Sequence, residues 1–202
     1  MKIRSFILPA AIALCIGTLP VMARGPQGGS AASHPPAALS AAESATLLWM
    51  REEEKLAHDV YVALDAQWDL TTLERIAASE QRHFDALGDK IERYALIDPA
   101  LPNEGAFSDP DLQGLYQTLV EAGLESSAEA LVVGATIEDL DIFDLLHAIE
   151  ETDEADLKQT YEHLLEGSKN HLRAFVGQLR ARGLDYAPQY IDPLLFDAIV
   201  GV

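Results

Sequence analysis

The chain has 202 residues, enough for one domain of ordinary size that buries its own core without disulfides. Hydrophobic residues at 49% exclude a disordered chain, and 13 Gly with 10 Pro exclude a collagen-like or low-complexity one. Lys+Arg 14 against Asp+Glu 33 gives a net charge of -19, which argues against nucleic acid and anionic lipid as partners and suits cations.

Residues 1–23 have the pattern of a secretory signal. Lys2 and Arg4 form a basic start, Phe6 to Leu19 is apolar, and Val21-Met22-Ala23 is a small-residue cleavage site. The apolar run is short against the roughly 20 residues that a spanning helix needs, so no membrane span is expected after cleavage. Cys15, the one cysteine, lies inside this segment, and Leu14 before it is too bulky for lipoprotein processing. Cleavage would remove two positive charges and leave a thiol-free protein at -21, suited to an oxidising compartment. A periplasmic or secreted location is therefore expected. Residues 24–39, rich in Gly, Pro, Ser and Ala, are expected to be a flexible leader, with His34 solvated.

From Ser40 onward the apolar period is near 3.6 and no alternating β-branched run occurs. The first helix is expected at 40–68, opened by the capping box Ser40 and Glu43. Its inward stripe is Leu47, Met50, Glu54, Ala57, His58, Tyr61 and Leu64. The second is expected at 72–96, with Leu73, Ile76, Glu80, His83, Leu87, Ile91 and Tyr94 inward. Asp98-Pro99, Leu101-Pro102, Asn103 and Gly105 then break the pattern, and a short helix restarts after Asp109-Pro110. The next helix opens at Ser126 and Glu129 and carries Leu131, Ala135, Glu138, Asp141, Ile142, Leu145 and Ile149. The fifth is expected at 153–182, with Leu157, Tyr161, Leu164, Ser168, His171, Phe175 and Leu179 inward, ending at Gly183. A last short helix follows Asp192-Pro193. Tight links near 69–71 and 152 make two antiparallel hairpins, joined by one long crossover. Such an all-α chain, two hairpins with one crossover, has the arrangement of a ferritin-like four-helix bundle.

The polar residues on those stripes carry the chemistry. Glu54, Glu80, His83, Glu138 and His171 interrupt apolar runs near the middle of the four long helices, where antiparallel packing brings them to one level. A buried carboxylate costs several kcal/mol unless it is paired or binds a metal. Glu80 and His83, three apart, share a helix face, and a Glu with a Glu-x-x-His is a half-site of a di-iron carboxylate bundle. Oxygen and imidazole ligands suit iron, manganese or zinc. The competing interpretation is a buried ion-pair network with Arg51, Arg82 or Arg173. Glu52 and Glu53, in the charged run Arg51 to Lys55, are read as solvated, as are His163 and Glu150, Glu151, Asp153, Glu154 and Asp156. His147 is placed at a boundary, and Tyr61, Tyr94 and Tyr161 are read as core.

The segments Arg51-Glu52-Glu53-Glu54-Lys55-Leu56-Ala57, Glu80-Gln81-Arg82-His83, Asp139-Leu140-Asp141-Ile142 and Asn170-His171-Leu172-Arg173-Ala174-Phe175 resemble the ferritin-like family called domain of unknown function 2202, over about 46–182. The resemblance implies a fold without an established activity. Through wider similarity to rubrerythrin-type bundles it implies metal ligands at Glu54, Glu80, His83, Glu138 and His171. It departs from that pattern at Ser168, where a glutamate would stand three before His171. Asp141 and His58 are the residues available to make up the ligand set, and one metal, an asymmetric pair or two ions all remain open. The functional expectation is metal handling or oxidative-stress defence. The alternatives are a di-iron oxidase or peroxidase and a metal-free helical module. No Cys-x-x-Cys segment supplies a rubredoxin-like electron donor. The oligomeric state, a dimer included, is left open.

Overall fold

A computed structural model describes residues 38–201. The expected signal with its Cys15, and all of the expected leader except Ala38 and Leu39, lie outside the described residues. Within them the chain is all-helical, with no strand. The elements are α1 (Ala41–Trp68), α2 (Thr71–Arg93), α3 (Pro110–Gly123), α4 (Ser127–Glu151), α5 (Ala155–Arg180) and α6 (Pro193–Val200). No described helix is long and apolar enough to cross a membrane.

The helix ends follow from local chemistry. The Ser40 hydroxyl accepts from the Glu43 amide at 3.1 Å while the Glu43 carboxylate accepts from the Ser40 amide at 2.9 Å, a reciprocal cap. The other Glu43 oxygen accepts from the Thr152 hydroxyl at 2.9 Å, fastening the start of α1 to the link between α4 and α5. Asp109 accepts from the Asp111 amide at 2.7 Å, and Pro110 opens α3 where a missing N–H costs nothing. The second helix stops at Arg93, short of the expected 96. Ala95 turns through φ 53, and the Leu96 amide bonds back to the Ile91 carbonyl at 3.0 Å. A similar closure, Leu184 amide to Leu179 carbonyl at 3.0 Å, ends α5 and uses Gly183 at φ 72, where glycine carries no Cβ penalty.

The four long helices contact one another in a ring: α1 with α2, α2 with α5, α5 with α4, and α4 with α1. The short helix α3 lies against both α1 and α4, and α6 packs on α5. Leu47, Tyr61, Leu64, Leu87, Leu131 and Phe175 are fully enclosed between them.

One expectation fails here. Glu52 and Glu53 are buried, not solvated, as are Arg51 and Lys55. A helix with two neighbours has a free face, but α1 has three, and the crossover covers the remaining side. Arg51 donates to Asp98 at 2.9 Å and lies over the Phe84 ring; Lys55 donates to the Asn103 carbonyl at 3.0 Å. Asp59 accepts from Lys55 and from the Gly105 amide at 2.8 Å. Asp156, also read as solvated, is half-buried and paired with Lys90, Arg93 and the Tyr94 hydroxyl. His163 and His147 are exposed.

Candidate metal centre

Glu54 on α1, Glu80 and His83 on α2, Glu138 on α4 and His171 on α5 converge in the interior, each 8% exposed or less. They form two groups of three that share Glu80. In each group, Glu54–Glu80–His83 and Glu80–Glu138–His171, ligand-type atoms lie within 4.8 Å of one another, so either could hold a metal ion.

The geometry is close to symmetric about the Glu80 carboxylate. Its Oε2 lies 2.8 Å from His83 Nδ1 and its Oε1 lies 2.7 Å from His171 Nδ1. Each imidazole meets a second carboxylate at 3.4 Å, His83 with Glu54 and His171 with Glu138. The rings are stacked with centroids 5.5 Å apart. With protons on the imidazoles, these nitrogen–oxygen separations are ion-pair distances. His83 Nδ1, His171 Nδ1, Glu80 Oε1 and Glu54 Oε1 are buried with no hydrogen bond. Nitrogen and oxygen ligand atoms brought this close need positive charge between them, and N and O donors suit a transition metal.

The electrostatics lead the same way. Burial raises the pKa of Glu54 well above its ordinary value and, together with the Glu80 charge, pushes Glu138 up to about 8. Burial also opposes ionisation of Glu80, but His171 and His83 outweigh it and hold that carboxyl below its usual range. Burial alone would make the imidazoles less basic; the carboxylates override it and raise His83 to about 11 and His171 to about 10. The cluster therefore demands positive charge, which protons supply in the chain alone. A metal ion would displace those protons.

Among the described residues, none of Arg51, Arg82 and Arg173 pairs with the cluster. Arg51 is held by Asp98, Arg82 donates to the Ala78 carbonyl at 2.7 Å, and Arg173 donates to the Ile199 carbonyl at 2.6 Å. The ion-pair interpretation thus loses the three arginines it named, and any pairing in the cluster runs through His83 and His171. Tyr61, buried as expected, donates to Glu138 Oε1 at 2.6 Å. Tyr161 is buried too, its hydroxyl lacking a hydrogen bond.

The two supplementary residues differ. His58 stands outside both groups, on the opposite side of α1 from the cavity, with Nδ1 2.9 Å from Asp59 Oδ1. Asp141 lines the same small cavity as Glu54, Glu80 and Glu138. Its Oδ2 accepts the Ser168 hydroxyl at 2.5 Å, and burial raises its pKa to about 7. Ser168 is fully buried, so the α5 position three before His171 does face the centre, and it holds a carboxylate borrowed from α4.

Three features escaped the sequence reading. Leu112, Leu115 and Leu119 of α3 wall the cavity; their spacing of three and four is an amphipathic signal. Glu53 lines it as well. Gly167 gives His83 its room, because a Cβ there would lie 2.6 Å from His83 Nε2.

The fold and this interior define an all-helical protein with a shared carboxylate–imidazole core. The chain belongs to the family described as uncharacterized protein domain DUF2202, whose model matches residues 43–202. It is 47% identical over 169 residues to the uncharacterized protein MJ0754 of Methanocaldococcus jannaschii, covering 83% of this chain and 91% of that one. A crystal structure of hypothetical protein MJ0754 from Methanococcus jannaschii DSM 2661 matches with a TM-score of 0.81 at 46% identity, over 85% of this chain and 98% of the other.

Proposed function

We propose that the chain is an exported, ferritin-like metal protein whose bundle core binds two transition-metal ions, iron or manganese ahead of zinc. The observation that carries this reading is the Glu80 carboxylate, which turns one oxygen to each of two imidazoles that otherwise lack hydrogen bonds. Glu54 and His83 would hold one ion, Glu138 and His171 the other, with Glu80 shared. Three carboxylates to two imidazoles is an oxygen-rich set, which favours iron and manganese. Ser168 keeps Asp141 beside the pair without adding a ligand of its own.

Bound ions of this kind supply redox and Lewis-acid chemistry toward small oxygen ligands. The chain's part is to hold them dry and fixed: the Tyr61 hydroxyl donates to Glu138, and the leucines of α3 exclude bulk water. The cavity there is ≈ 20 Å³, room for about one water. That size favours, as a second reading, an oxidase or peroxidase acting on dioxygen or peroxide; an organic substrate would not fit. Export rests on the basic start, apolar run and small-residue site of residues 1–23.

The test is metal analysis of protein purified from its native compartment. Two ions per chain are expected, and replacing Glu80 and His83 together by Ala should remove them. Full metal content in that double variant would move the site elsewhere.

A further inference from the structure

A line of polar side chains leads from the surface to the candidate centre. Along α4, Glu138, Asp141, Asp144 and His147 recur every three residues and so follow one slowly turning stripe. Glu138 is 1% exposed, Asp141 is half-buried, Asp144 is 9% exposed and His147 is exposed, so the stripe reaches solvent at its His147 end. Successive members are spaced by about 4.5 Å along the axis, at a rise of about 1.5 Å per residue, short enough for a cation to pass from one to the next. Across the interface α1 adds Glu53, which lines the same cavity as Glu54, Asp141 and Glu138.

Glu53 and Asp144 meet across the interface of α1 and α4, their carboxyl groups hydrogen-bonded to each other. Both are nine-tenths buried, and Glu53 Oε2 and Asp144 Oδ2 have no hydrogen-bond partner. No lysine or arginine pairs with Glu53, Asp141 or Asp144 among the described residues. The pair thus shares a hydrogen bond yet keeps one buried oxygen on each side without a donor, room for a cation to take. At the outer end, His147 is aimed. Its Nδ1 donates to the Phe143 carbonyl at 2.8 Å and its ring packs on Phe143 at 4.3 Å, leaving Nε2 with the lone pair on the exposed side.

We propose that His147, Asp144, Glu53 and Asp141 form the loading route by which a divalent cation reaches the core, with Glu53 and Asp144 as its first buried resting place. This rests on the metal-centre reading above. It assigns a use to four residues that the two ligand groups leave out.

Uptake kinetics separate a route from a destination. Metal-free full-length mature chain is mixed with Co2+, and the visible absorbance of the bound ion is followed in time and at equilibrium. Glu53→Gln with Asp144→Asn should load about tenfold more slowly, as expected when the charge lining a cleft is removed, yet reach the same stoichiometry. An unchanged rate overturns the route. A lower final stoichiometry also overturns it, because the pair would then belong to the centre. No Co2+ uptake by the unaltered chain would overturn the metal-centre reading itself, and the route with it. Should the double variant fold poorly, the exposed position decides: His147→Lys should slow loading and His147→Glu should not, whereas equal rates for both contradict the proposal.

Discussion

Glu138 and Asp139 are adjacent on α4, and both are buried carboxylates, yet their surroundings differ in kind. Asp139 is fully enclosed and fully satisfied. It accepts from the Tyr186 hydroxyl at 2.9 Å and from the backbone amides of Gln189, Tyr190 and Ile191 at 2.5, 3.3 and 3.0 Å. It clamps the segment between α5 and α6 to the bundle, and its charge is spent on donors. Glu138 has one donor, Tyr61, and otherwise faces a carboxylate and an imidazole. A buried acid surrounded by donors is architecture; one set among other acids and imidazoles needs positive charge that its donors do not supply.

The contrast breaks most visibly at Asp139. Asp139→Ala strands several buried donors and should destabilise the chain by about 3–5 kcal/mol, with or without metal, in denaturant titration. Metal content per folded chain should stay the same. Glu138→Gln should do the reverse. Metal-free stability should move by no more than about 1 kcal/mol, because the amide can still accept from Tyr61, while bound metal falls. A large loss of metal-free stability would show that Glu138 is architecture too.

The pH dependence sharpens the same point. Folded, Glu138 titrates near 8 and Asp141 near 7, above their ordinary 4.5 and 3.8, because burial resists their charge. The folded chain then holds more protons than the unfolded one between about pH 4 and 8, so metal-free stability falls as pH rises through that window. His83 and His171, raised to about 11 and 10, stabilise fully below their ordinary 6.5 and lose that contribution toward 10 to 11, the same direction at higher pH. Glu80, held low by those histidines, matters only at the acid end. Metal affinity should rise with pH across the first window, with proton release measurable by calorimetry in buffers of different ionisation enthalpy. A flat metal-free stability profile would remove this prediction.

Smaller still is the effect at Gly167. Gly167→Ala places a Cβ against His83 and should weaken metal binding by about tenfold or more, while Gly177→Ala, with nothing within 4 Å, should leave it alone. Equal affinities would mean that His83 is free to shift.

The long helices, their caps and the residues that meet in the core were legible because periodicity and capping are local signals, and Glu54, Glu80, His83, Glu138 and His171 each broke an apolar stripe. What was not legible depended on distant parts of the chain. Glu52 and Glu53 looked solvated because nothing near them in sequence shows that α3 and the crossover close over α1. Asp139 sits beside a site residue in a charged segment, and its donors lie 47 to 52 residues away in an irregular stretch. His58 fell on the inward stripe by spacing but turned to Asp59, one residue on.

Crystals of the protein grown with Mn2+ and measured for anomalous scattering provide the most direct test. The account predicts two peaks flanking the Glu80 carboxylate, one beside Glu54 and His83 and one beside Glu138 and His171. Density without anomalous signal at that carboxylate, with both imidazoles hydrogen-bonded to Glu80 in protein saturated with Mn2+, would contradict it.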